Sequence, residues 1–502
     1  MEAIFTSLAN LEFYLVLAAI LGVVWGIVGG ALPGISPSIT MALLLPFTYA
    51  LEPSIAIVLL ASTYVGAEYG GSIPAILIRT PGTNAAAASV IDGYEMNKQG
   101  KAGLALGISL YSGVIGSLVG LSVLILFSEP LARLALSFTP PAYFALGVLG
   151  LSVIVSLSGE SLVKGLIAAL LGLMISTIGT DPVSGISRFT FGVSDLLSGI
   201  QPILIMVGLF AMSELLKQAS ALNESRVKAI PRIQFPDNKL KKRLVLPQCI
   251  GALFGVFEGV MPGAGGTVAS FMSYNEAKRW SKSKREFGKG SPEGIAAPET
   301  ANNAVAETSL IPLLSFGIPG SNSTAILLGG FLIHGLIPGP MLFARSGDIV
   351  ADLYVGLFFA AIALLFIGIA IMPVCIWLVN QPRPYLNAFI MALIMSGIYS
   401  INNSLFELSV VLVAGVIGYF MRLLKFPFLP TVLGLVLGFM IESNFRRSLL
   451  LSGDELSIFF NDRISLVLLS LAALFIIGSL ARRLIVFLFA GLTSKFADND
   501  GR

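Results

Sequence analysis

The run Ile73-Pro74-Ala75-Ile76-Leu77-Ile78-Arg79-Thr80-Pro81-Gly82-Thr83-Asn84-Ala85 breaks apolar sequence with a Pro-Gly pair. Ile311-Pro312-Leu313-Leu314-Ser315-Phe316-Gly317-Ile318-Pro319-Gly320-Ser321-Asn322-Ser323 does so again with the same internal spacing. Proline removes a backbone donor and glycine accepts positive φ, so each pair ends one helix and starts another. A second pair of breaks precedes these. Gly26, Gly30, Pro33 and Gly34 recur as Gly255, Gly259, Pro262 and Gly263 at a constant offset. The chain is therefore constrained to two diverged halves, each interrupted twice. Interrupted apolar segments at corresponding positions of two halves point to the binding site of a secondary transporter.

Only 12% of the 502 residues are charged and 55% are hydrophobic, with a mean hydropathy of +0.88. Soluble domains carry about 25% charged residues. The apolar runs approach the ~20 residues that cross a bilayer, and they do not alternate as barrel strands do. The sequence predicts an all-α polytopic membrane protein of roughly ten full spans plus re-entrant hairpins with broken helices. The net charge of +3 is too small to point to nucleic acid. Cys249 and Cys375 lie far apart in apolar runs and read as core residues. The N-terminus has no positive n-region and does not read as a cleavable signal.

No Lys or Arg precedes Arg79, which places the N-terminus outside. Basic residues cluster in 217–243 and again from Lys278 to Lys289. If both flanks are cytoplasmic, 244–274 must enter and return, with Pro262-Gly263 at the turn. The matching hairpin of the first half opens to the outside, so the halves are expected to be inverted structural repeats. Residues 1–216 form the first repeat, 217–243 a basic cytoplasmic linker and 244–441 the second repeat. Residues 442–502 form an external loop and a C-terminal transmembrane helix that ends in the cytoplasm.

A helix interrupted in a bilayer exposes N–H groups on one half and C=O groups on the other, and only protein or a wet cavity can meet them. The N–H ends attract anions and the free carbonyls attract cations. The expected substrate-binding residues are thus Pro33, Gly34, Ser36 and Ser38; Arg79, Thr80, Pro81, Gly82, Thr83 and Asn84; Pro262, Gly263, Gly265, Gly266 and Thr267; and Pro319, Gly320, Ser321, Asn322 and Ser323. Pro-Gly pairs that merely kink packed helices are the alternative. Arg79 offers a planar fork to a carboxylate, or an internal ion pair with Glu68 or Glu307. Glu258, Asn302 and Asn303 are candidates for cation coupling. A wet structural role for Glu258 and helix–helix hydrogen bonds for the asparagines are the competing readings. His334, the single histidine, reads as interfacial.

No phosphate loop, Cys/His cluster or nucleophile elbow is present, so the sequence points to no enzyme, no metal site and no cofactor beyond a coupling cation. At GGALPGISPSITMALLLPFTY (29–49), GGSIPAILIRTPGTNAAAASVIDGYEMNKQGKAG (70–103), APETANNAVAETSLIPLLSFGIPGS (297–321) and HGLIPGPMLF (334–343) the chain resembles a known family. This is the large membrane subunit of bacterial tripartite tricarboxylate transporters, the TctA family, and the resemblance runs over nearly the whole chain. It implies uptake of a small carboxylate across the inner membrane, driven by a sodium or proton gradient. It also implies a small four-span membrane subunit and a periplasmic solute-binding protein that delivers the substrate. A neutral residue is expected at the position of Arg79. A carboxylate pore or exporter without a binding protein, and a scaffold subunit with the path in a partner, are the alternatives.

Overall fold

The computed structural model describes residues 2–9, 12–157, 161–181, 184–218, 231–261 and 265–497. Pro262, Gly263 and residues 219–230 of the basic linker lie outside the described residues. The fold is helical almost throughout. Among the described residues, seven helices are long and apolar enough to cross a bilayer: Phe13–Ala31, Ala102–Ala135, Asn238–Val260, Gly347–Ala370, Pro384–Asn402, Leu405–Leu423 and Arg463–Leu480. Four apolar helices are shorter: Pro37–Ala50, Pro140–Ser156, Leu162–Ser176 and Asn322–Ile333. Two of these short helices follow Pro-Gly breaks, so breakage and length go together. The β-structure described is one antiparallel pair, Gly179–Thr180 with Ser187–Arg188, in the register Gly179 to Arg188.

Contacts divide the chain into two compact units, Met1–Leu136 with Gln201–Leu424, and Ser137–Ile200 with Lys425–Arg502. The division cuts across the halves of the sequence. In the smaller unit, Leu429–Ser452 packs on Pro140–Leu157 and Leu162–Ser176. Small residues let these helices touch by their backbones, as membrane packing favours: a methyl on Gly434 would overlap Ala169 O. Arg446 pairs with Asp181 at 2.9 Å and with Glu442 at 2.7 Å, and Arg188 pairs with Glu442 at 2.7 Å.

The larger unit carries all four breaks. Its first series of helices is α1 (Phe13–Ala31), α2 (Pro37–Leu44), α3 (Pro53–Gly70), α4 (Ser72–Ile78), α5 (Ala87–Lys98) and α6 (Ala102–Ala135). A second series is α7 (Asn238–Val260), α8 (Gly265–Trp280), α9 (Glu293–Thr308), α10 (Leu310–Phe316), α11 (Asn322–Ile333) and α12 (Gly347–Ala370). The order of long helix, break, short helix, break and long helix recurs.

Local packing recurs with it. α1 lies against α3 through Gly26 and Gly30, where a methyl would overlap Thr63 O and Ala67 O. α7 lies against α9 through Gly255 and Gly259; a methyl at Gly255 would come 2.5 Å from Ala301 O. The seven-residue helices α4 and α10 end alike, on left-handed residues: Arg79 with φ 60° and Gly317 with φ 73°. Thr80 N then donates to Pro74 O at 3.3 Å, and Ile318 N to Pro312 O at 3.2 Å. Such a left-handed residue satisfies carbonyls that the helix end would leave unpaired.

Candidate functional site

The second break of each series is seated on backbone. Gly82 N donates to Gly71 O at 3.0 Å, and a methyl on Gly82 would overlap Gly30 O. A methyl on Gly320 would lie 3.0 Å from Ser309 O and 3.1 Å from Gly259 O. Gly30 and Gly259 stand at matching positions, as do Gly71 and Ser309. The glycines are thus required by close approach of backbone to backbone.

The helix starts beyond these breaks are partly capped. Thr83 Oγ1 accepts from Ala86 N at 3.2 Å. Ser321 Oγ accepts from Thr324 N at 3.2 Å, and Thr324 Oγ1 accepts from Ser321 N at 2.8 Å, a reciprocal capping box. The amides of Asn84 and Ala85, and of Asn322 and Ser323, are left without a partner among the described residues. The side chains of Asn84 and Asn322 are both exposed. At each break, then, two free N–H groups sit beside an exposed carboxamide, an arrangement suited to an anion.

Residues that follow three of the Pro-Gly pairs meet around one face of α3. Tyr64 OH lies 3.3 Å from Ser321 Oγ. One turn on, Glu68 O accepts from Asn302 Nδ2 at 3.5 Å. A methyl on Gly266 would lie 2.7 Å from Asn302 Oδ1 and 3.4 Å from Ala85 Cβ. Glu68 is 7% exposed and Asn302 2%, yet Glu68 Oε2 and Asn302 Oδ1 have no hydrogen-bond partner. Buried polar atoms are nearly always bonded, so two orphaned oxygens together mark a place for a ligand or water. Among the described residues no Lys or Arg forms an ion pair with this cluster.

Two further carboxylates hold the surrounding helices. Glu299 on α9 accepts from Ser72 Oγ at 2.6 Å, from Ser89 Oγ, and from Ser109 Oγ at 2.9 Å. It thereby ties α4, α5 and α6 to α9. Asp92 Oδ1 accepts the amides of Gly288, Gly290 and Ser291 at 2.8, 2.8 and 2.7 Å, and Tyr274 OH donates to its Oδ2 at 2.8 Å.

The structure separates some residues that the sequence grouped. Arg79 is exposed and sits 5.9 Å from the centre of the Tyr94 ring. It pairs with neither Glu68 nor Glu307, because the left-handed turn at Arg79 carries its side chain away from the core. Asn302 and Asn303 do not form one site. Consecutive helical residues point about 100° apart, and a methyl on Gly113 of α6 would come 2.9 Å from Asn303 Nδ2. Glu258 is buried near the end of α7. In the first break, Ser36 Oγ and Ser38 Oγ are 2.8 Å apart. Gly34, with φ 89°, faces Gln218, which bonds Glu214, the partner of Arg422 at 2.7 Å. Cys249 is exposed, not a core residue, while Cys375 is buried. His334 is half-buried at the end of α11. Sequence reasoning missed Tyr64 and Glu299. Their signal was present as polar residues set one or two turns apart within apolar helices.

A polytopic helical membrane protein with broken helices around buried polar groups is the class these features define, and comparison makes it specific. The profile of the tripartite tricarboxylate transporter TctA family matches residues 16–433. The chain belongs to that family, a family of transporters rather than enzymes. An uncharacterized 52.8 kDa protein of the TAR-I ttuC' 3' region of Agrobacterium vitis is 36% identical over 439 residues, 86% of each chain. An uncharacterized protein of the TAR-II ttuC' 3' region of the same organism is 34% identical over 226 residues, 45% of this chain and 93% of that one. No solved structure matches the chain.

Proposed function

We propose that this chain is the membrane subunit through which a small tricarboxylate or dicarboxylate is imported by alternating access. The observation that carries the proposal is the pairing of free amides at Asn84–Ala85 and Asn322–Ser323 around Tyr64, Glu68 and Asn302. The substrate binds between the breaks, with the exposed Asn84 and Asn322 carboxamides against its oxygens. Among the described residues no cation pairs with the cluster, so a carboxylate entering beside Glu68 needs a positive charge brought with it. That need supports coupling to a sodium or proton gradient. The two helical series act as inverted repeats, with the N-terminus periplasmic and the C-terminus cytoplasmic in a bacterial inner membrane. Membership of a tripartite family supports a small four-span subunit and a periplasmic binding protein as partners.

The test is uptake by the reconstituted three-component system, with candidate acids and imposed gradients. Each hydrogen bond to a charged acceptor contributes about 1.5–3 kcal/mol, or roughly ten- to a hundredfold. Asn84→Ala with Asn322→Ala should therefore weaken apparent affinity at least tenfold at unchanged protein level. Unchanged affinity in that variant, or uptake indifferent to both gradients, would overturn the proposal.

A further inference from the structure

Polar side chains recur along a second stripe, apart from the breaks. Glu299, Asn303 and Glu307 follow one another at helical spacing on α9 and share a face. α6 lies beside that face with Ser109, Gly113, Ser117 and Gly120 at matching intervals. Ser109 Oγ donates to Glu299 Oε2 at 2.9 Å, and Asn303 Nδ2 donates to Glu299 O at 3.1 Å. A methyl on Gly113 would come 2.9 Å from Asn303 Nδ2, and one on Gly120 would come 2.8 Å from Glu307 Cβ. The pairing rises in step along both helices, and Ser117 falls between Gly113 and Gly120.

This stripe is buried and unsatisfied. Ser117, Asn303 and Glu307 are all 0% exposed. Both carboxyl oxygens of Glu307, Asn303 Oδ1 and Ser117 Oγ have no hydrogen-bond partner. A charged carboxylate without a single donor is heavily penalised in such surroundings. Among the described residues no ion pair reaches Glu307. Titratable groups on the helices packed around α9 include Tyr64, Glu68 and Tyr69 on α3, Asp92 on α5, Tyr111 on α6, Glu258 and the basic first turn on α7, and Tyr274 on α8. None of them is bonded to it. The backbone carbonyls of α6 and α9 are engaged in their own helices here, so the oxygen cage that a metal cation requires is missing. A neutral acid with a proton to give fits what is present.

We infer that Glu307 carries a proton, and that the stripe through Ser117, Asn303 and Glu299 is the hydrated path by which that proton exchanges. On release, the O–H bond of Glu307 breaks, its electron pair stays on the carboxylate, and the proton passes to water held by Ser117 and Asn303. The hydroxyls around Glu299 receive it next. Only the use of that proton rests on the proposed transport function; its presence on Glu307 does not.

Two readouts test this on the complete reconstituted complex. Infrared difference spectra across a pH step should show the carbonyl stretch of a protonated carboxyl that is lost in Glu307→Gln, a near-isosteric change. In the same vesicles Glu307→Gln should lower proton-driven uptake at least tenfold while preserving substrate counterflow, and Ser117→Ala should slow proton exchange. Persistence of the band in Glu307→Gln overturns the assignment. Loss of the band with proton-driven uptake intact overturns the carrying role. If the wild-type complex moves no carboxylate, the transport reading fails, and the infrared comparison still decides whether Glu307 holds the proton.

Discussion

Arg79 occupies the left-handed position that glycine fills at Gly317. A side chain there costs about 1–2 kcal/mol relative to glycine. The same turn puts the guanidinium outside the core, over Tyr94 and without a carboxylate partner. Arg79→Gly should thus raise stability by about 1 kcal/mol, read as a higher Tm of the purified protein. A loss of stability would mean that the Tyr94 contact matters more than the strained turn. The cation was visible in the sequence, but its surroundings were not. Its proximity to Pro81 suggested a fork for a carboxylate substrate, with an ion pair to Glu68 or Glu307 as the alternative. The handedness of one residue carries it away from Glu68 and Glu307, and that handedness follows from the cap geometry of α4 and not from residue type.

The breaks are elements in their own right, and they were legible because proline and glycine leave an unambiguous mark. What glycine does there was not. Backbone approaches backbone closely at both, Gly82 against Gly30 and Gly320 against Gly259. The two contacts differ in tightness, and this yields an asymmetry. Gly82→Ala should cost about 1–3 kcal/mol through overpacking, and Gly320→Ala less, because its neighbours lie at 3.0 Å or beyond. Thermal unfolding of the two variants in detergent measures the difference; equal losses would contradict it. The hydroxyl shell of Glu299 was hidden for another reason. Ser72, Ser89 and Ser109 lie on three helices, and only packing brings them to one carboxylate.

At the scale of the whole molecule, the recurrence of helices, breaks and left-handed caps follows the offset written in the sequence. The division into contact units does not follow it, since residues 137–200 associate with 425–502. Those long-range contacts leave no motif. Inversion of the halves makes its own prediction. Single cysteines at Pro53 and Ser283, in a Cys249→Ser, Cys375→Ser background, should react with an impermeant reagent from opposite sides of the membrane. Labelling of both from one side would contradict it. Asp92 adds a consequence of a different kind. Its Oδ1 is satisfied by amides that lie 196, 198 and 199 residues later in the chain. A ribosome adds about 5–20 residues per second, so those partners arrive roughly 10–40 s after Asp92 itself. Throughout that interval the nascent chain must keep the carboxylate hydrated, and this corner of the protein closes only once the second half has been made.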